Sequence, residues 1–147
     1  MKAKRSYATL TILSSTLSVQ ELEQMIAVSP DRTREKGDLR GREPNNVYPY
    51  SVVAFESHID QTADPAAHVD DLLDRVSSAK DAIRHLSGAT LSDDVRRFPV
   101  RFSLHLESTQ GEIGFDFSSE QLKSMIELGA RLGIDVECDC EPSDKTE

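Results

Sequence analysis

The feature that most constrains this chain is a pair of helix starts built to one pattern. Ser18 is followed three residues on by Glu21, and Ser118 by Gln121. A Ser with Glu or Gln at that spacing forms a capping box, in which the two side chains satisfy backbone N–H groups that the first helical turn leaves unpaired. An alternating run precedes each box. Ala8, Leu10 and Ile12 take one face of Tyr7 to Ser14, with Tyr7, Thr9 and Thr11 on the other; Ile113, Phe115 and Phe117 alternate in the same way before the second box. Period-2 alternation followed by a capped helix reads as a strand–helix unit. Residues Ser18 to Ile26 and Ser118 to Ile126 carry Ser, Leu, Met and Ile at matching positions. Duplication and independent selection by the same physics both account for that match.

The remaining elements fall between these units. The first helix, with Leu22, Met25 and Ile26 inward, is stopped by Pro30. Tyr48 to Glu56 reads as a central strand, because Val52 to Phe55 is apolar on both faces. Asp64 and Pro65 open a long helix whose stripe runs Val69, Leu72, Leu73, Val76, Ala79, Ile83 and Leu86 before Gly88 ends it. In Phe98 to Glu107, Val100, Phe102, Leu104 and Leu106 face in, while Arg101, Ser103 and His105 face out. The second capped helix packs Leu122, Met125, Ile126 and Leu128. The last strand, Ile134 to Cys140, turns Ile134, Val136, Cys138 and Cys140 inward and lines its outer face with Asp135, Glu137 and Asp139. Cys138 and Cys140 read as buried small hydrophobes rather than as a disulfide or half a zinc site. His68 and His85 read as surface residues.

The order is strand, helix, strand, helix, strand, strand, helix, strand. It predicts an α+β fold: a five-stranded sheet, mostly antiparallel or mixed, with three helices on one face and the other face open. A ferredoxin-like plait with an extra strand and helix fits this order. At 147 residues, 1–147 is read as a single domain with an ordered core over about 6–141 and an acidic polar tail over 142–147. The basic start lacks the apolar core of a signal peptide, and no run approaches the ~20 apolar residues of a membrane span, so a cytoplasmic protein is expected.

Charge is uneven. Residues 1–46 carry eight Lys/Arg and six Asp/Glu, whereas 47–147 carry nine and twenty, within a net charge of −9. An acidic bulk of this kind argues against a nucleic-acid partner and suits a basic protein. The segment 31–43 is the exception. Arg32, Arg34, Lys36, Arg40 and Arg42 alternate there with four acids, and Gly37 and Gly41 supply turns.

The run Leu17-Ser-Val-Gln-Glu-Leu, then Ser29-Pro30, then Thr33-Arg34-Glu-Lys36-Gly37-Asp38, resembles an uncharacterised bacterial family catalogued as domain of unknown function 4279. The ending Leu132-Gly-Ile-Asp-Val136 resembles that family's ending, and the likeness covers roughly 7–140. Family members often carry a Trp in the second strand; this chain has none, so no role of such a Trp carries over. The resemblance implies no activity, cofactor or site.

Two groups of residues are therefore weighed on their chemistry. Arg34, Lys36, Gly37, Asp38 and Arg40 form a loop able to hold a phosphate or carboxylate, and Arg34, Lys36, Gly37 and Asp38 are expected beside the open sheet face. The alternative is a set of solvated charges pairing among themselves. Asp116, Asp135, Glu137 and Asp139 form an acidic face, balanced in the simpler reading by Arg97, Arg101 and His105 across strands. No catalytic constellation, metal set or cofactor motif is found; the histidines have no nucleophile at telling spacing. Two function classes follow. One is a non-enzymatic protein-binding module, such as an immunity-type protein whose acidic face holds a basic partner. The other is a sensor or enzyme for a small anion or metabolite that uses the basic loop 31–43 over the open sheet face.

Overall fold

The computed structural model describes residues 4–89, 98–109 and 114–138. Five strands form one sheet: β1 (Arg5–Ser14), β2 (Arg32–Arg34), β3 (Ser51–Glu56), β4 (Val100–Ser108) and β5 (Arg131–Cys138). Their order is β2-β3-β1-β4-β5. The first four are joined antiparallel, and β5 runs parallel to β4. The α+β class and the mixed sheet stand as expected. The plait is not confirmed by this strand order.

Three helical units cover one face. α1 (Val19–Ile26) and α4 (Ser119–Glu127) each begin with the expected capping box, both reciprocal bonds being present. The long helix is α2 (Pro65–Val76), a 3₁₀ turn at Ser77–Ala79, and α3 (Lys80–Ser87). Pro65 opens it, but the Asp64 side chain makes no capping bond. α1 ends on Ala27, whose φ of 56° is left-handed and whose N–H reaches the Glu23 carbonyl. The core lies between these helices and the inner row of the sheet: Ala8, Leu10 and Ile12, Val53 and Phe55, Phe102, Leu104 and Leu106, against Val69, Leu72, Val76, Ile83 and Met125.

Four expectations fail, each for a physical reason. Residues 114–118 are not a strand. Because β4 and β5 are parallel, the chain must cross back between them, and this stretch serves as the connection to α4. Phe115 and Phe117 still pack edge to face there, half-buried against the core. The fifth strand is instead β2, inside the charged segment. In α4, Leu122 and Ile126 face outward, Ile126 at 71% exposure, and Gln121 is buried in their stead. Its Nε2 donates to the Ala66 carbonyl and the Asp70 carboxylate, so a polar bond docks α4 on α2. With α4 drawn there, β5 is left as an uncovered edge: Ile134 and Val136 are exposed, and so is Cys138, which is disulfide-bonded rather than a buried thiol. Finally, His68 is fully buried, its Nδ1 bonded to the Ser57 hydroxyl at 2.8 Å, whereas His85 is exposed as expected.

Candidate functional site

Among the described residues the outer face of the sheet carries no helix, and strand register decides what it displays. Alternation puts Tyr7, Thr9, Thr11 and Leu13 of β1 on it, with Arg101, Ser103 and His105 of β4 and Arg131, Gly133 and Asp135 of β5. Pairing then sorts these residues into rows. Thr11 lies opposite Arg101, and Arg101 opposite Arg131. On the other side of β1, Thr11 faces Ala54, and Ala54 faces Arg32. Three arginines thus share one row across five strands. Two steps further along lie Tyr7, His105 and Asp135. Together with Phe98 these residues line an open groove of about 870 Å³.

Each end of the groove is held in place. Arg131 lies over the Phe98 ring, 4.3 Å from its centroid, a cation–π contact that fixes the guanidinium at the rim. The Arg101 guanidinium lies close against Gly133: a Cβ there would stand 2.8 Å from its Nη2. Glycine at 133 therefore makes room for that arginine. Arg32 is paired with Glu56. Among the described residues neither Arg101 nor Arg131 has a carboxylate within ion-pairing distance.

At the other end, the Tyr7 and His105 rings stack at 4.4 Å with 13° between planes. His105 Nε2 lies 3.1 Å from Thr9 Oγ1, and its Nδ1 lies 3.4 Å from the Asp135 carboxylate. A carboxylate only accepts, so the tautomer that suits both neighbours has the proton on Nδ1 and lets Nε2 accept from the Thr9 hydroxyl. Burial holds the His105 pKa below its usual value; Asp135 opposes that shift and Arg101 adds to it. This hydroxyl–imidazole–carboxylate line comes from three strands, which is why no sequence spacing could announce it.

The charged segment 31–43 builds the sheet's far edge. Arg32 to Arg34 pair with Val52 to Ala54 of β3. Beyond them a ladder closes: the Gly37 amide donates to the Tyr48 carbonyl, the Tyr48 amide to the Asp38 carbonyl, and the Arg40 amide to the Asn46 carbonyl. Gly37 has φ of 91°, the turn for which glycine suits the position. Lys36 Nζ donates to the Ser15 carbonyl, not to an acid. Arg34 and Arg40 each approach the Tyr48 ring, at 5.9 and 5.8 Å. Arg34, Lys36, Gly37, Asp38 and Arg40 are therefore brought together at the β2 edge, in line with the sheet, while their neighbour Arg32 is the one that reaches the groove.

The acidic candidates are only partly assembled. Asp135 and Glu137 share the outer face of β5, Asp116 lies exposed in the connection before α4, and Asp139 falls outside the described residues. Arg97, expected to balance them, also falls outside. His105 does meet Asp135, but Arg101 faces Arg131 rather than an acid. Arg32, Arg101 and Arg131 stand outside the candidates that the sequence singles out for binding; their one legible signal is the outward alternation of Arg101, Ser103 and His105.

With this geometry in place, residues 4–139 match the family described as Domain of unknown function (DUF4279). The chain belongs to that family. No curated protein and no solved structure is significantly similar to it. Membership thus brings a fold-length match but no chemistry, and the site must speak for itself. Among the described residues no group of three His, Cys, Asp or Glu side chains is placed to hold a metal ion, and no helix is long and apolar enough to cross a membrane.

Proposed function

We propose that this member of the family binds a small anionic ligand on its open sheet face, acting as a sensor or binding protein for an anion or metabolite. One observation carries the reading. Arg101 and Arg131 sit directly opposite each other on paired strands, with no carboxylate of the described residues within ion-pairing distance of either, in a chain of net charge −9. Like charges directly opposite on a sheet are destabilising. An acidic protein has carboxylates to spare for neutralising such a pair, and those of the described residues lie elsewhere. A bound phosphate or carboxylate, gripped in the bidentate fashion arginine favours, removes the repulsion. The groove is also of the size that small-molecule sites take, roughly 300–1,000 Å³. Calorimetric titration with inorganic phosphate tests this. The native chain is expected to bind, and Arg101→Gln with Arg131→Gln to weaken binding at least tenfold. Equal binding by the double variant overturns the reading.

A second reading has its own support. The uncovered edge strand β5 bears Asp135 and Glu137 on one face and Leu132, Ile134 and Val136 on the other. An exposed strand edge is a template for pairing with another chain. This suits a protein-binding module of the immunity type, with a basic partner drawn to the acidic residues. Reversing Asp135, Glu137 and Asp139 to Lys is expected to slow association with such a partner while leaving the melting temperature nearly unchanged. A partner that binds the triple variant equally well removes this reading.

A further inference from the structure

We infer that the anion taken by the groove is a mononucleotide, its phosphate on the arginine row and its base at the Tyr7–His105 stack. The inference rests on the anion-binding reading and adds the chemistry of the other end. His105 lies four residues along β4 from Arg101, which at about 3.3 Å per residue separates the two rows by roughly 13 Å. That is the reach of a ligand with a phosphate at one end and a flat ring at the other. Between the ends the floor is Thr9, Thr11 and Ser103; Thr9 and Ser103 are nearly buried and Thr9 is bonded to His105, which leaves the part-exposed Thr11 hydroxyl to meet a sugar hydroxyl. The far end offers aromatic surface, since Tyr7 remains 36% exposed beside its stacking partner. It also offers Asp135, half exposed and able to accept from a ring N–H or amino group.

The same charges argue against a longer nucleic acid. Beyond the stack, β5 presents Asp135 and then Glu137, while Glu107 is engaged by Lys4 and Arg5. A strand continuing in that direction would carry its next phosphate toward the two β5 carboxylates. A single nucleotide ends before them. Base stacking on aromatic side chains is tolerant of base identity, so the platform selects for a ring and Asp135 for its donors.

The experiment compares inorganic phosphate, ribose 5-phosphate, adenosine 5′-monophosphate and a six-residue oligoadenylate on the full chain by calorimetry. The monophosphate is expected to bind at least tenfold tighter than ribose 5-phosphate. Tyr7→Ala should erase that difference. Tyr7→Leu, which keeps bulk on the pleated surface, should do the same and guards against a folding defect. Gly133→Ala, which displaces Arg101 from its seat, should weaken all phosphates alike. If ribose 5-phosphate and the monophosphate bind equally, the nucleotide inference falls while the anion reading stands. If inorganic phosphate, ribose 5-phosphate and the monophosphate all fail to bind, both fall. If the oligonucleotide binds tighter than the monophosphate, a polymer is the ligand and the inference is overturned.

Discussion

His105 is where the site's electrostatics can be read from a single side chain. It touches Thr9, Tyr7 and Asp135 and feels Arg101, and burial lowers its pKa. The imidazole is therefore neutral at pH 7, and each neighbour's contribution has a known sign. Replacing Arg101 with Gln removes a like charge and should raise the His105 pKa; Asp135→Asn removes an attractive one and should lower it. Proton NMR titration of the ring measures both, and a shift in the wrong direction in either variant would sink this account. Residues such as His105 mark the limit of what local pattern shows. The capping boxes at Ser18 and Ser118 were legible because a cap is closed within four residues. The inner row of β4 was legible because alternation encodes it. The contact of Thr9 with His105 joins residues 96 apart in sequence, and only register produces it.

At the scale of elements, a charged clasp ties three of them together. Asp31, just before β2, accepts from Arg75 of α2, from His58 and from the Glu56 amide at the end of β3. Arg75 also reaches the Ser29 and Glu56 carbonyls and lies over the Phe55 ring. Burial alone would raise the Asp31 pKa, but the bonds from Arg75, the Glu56 amide and His58 outweigh it and hold the pKa at about 2. A carboxyl depressed in the folded state stabilises the fold above its unfolded pKa and loses that contribution as pH falls. The window here is therefore from about pH 4 down to about pH 2. Its size, discounted for solvent screening, is about 1 kcal/mol. Arg75→Ala should cost about 2 kcal/mol at neutral pH, because Asp31 loses its guanidinium partner and the Ser29 and Glu56 carbonyls lose theirs. It should also flatten the loss of stability between pH 4 and pH 2. Urea melts at both pH values check this; an undiminished acid slope in the variant would place the clasp's energy elsewhere. None of this was visible beforehand, since Asp31 reads as one more charge in a charged loop. β2 was equally hidden, because Arg-Thr-Arg lacks the apolar alternation that betrays a strand. On β5 the pattern was visible but its meaning was not. Ile134 and Val136 alternate as core residues do, yet both stay exposed once Gln121 holds α4 against α2.

At the scale of the whole molecule, the distribution of charge matters more than its total. The net −9 predicts an acidic surface and says nothing of three arginines aligned across five strands. The sheet order β2-β3-β1-β4-β5 creates that alignment, because it lays residues from opposite ends of the chain in one row. A groove made this way should couple ligand binding to global stability. A ligand that binds only the folded chain stabilises it by about 1.4 kcal/mol at ten times its dissociation constant. For a chain of this length that corresponds to a melting-temperature rise of roughly 4 °C. Phosphate also stabilises proteins generally, through exclusion from their surfaces, so a rise alone proves little. The arginine variants separate the two effects. In chloride, Arg101→Gln should melt no lower than the native chain, because it relieves the repulsion from Arg131. In phosphate of matched ionic strength, the native chain should gain several degrees and the variant only the general increment. The variant would then be at least as stable without ligand and less stable with it. That crossing is the signature of a charge pair kept for binding at the expense of the empty fold. If the variant instead melts lower in chloride and gains as much in phosphate, the arginines serve the sheet and the groove holds no anion.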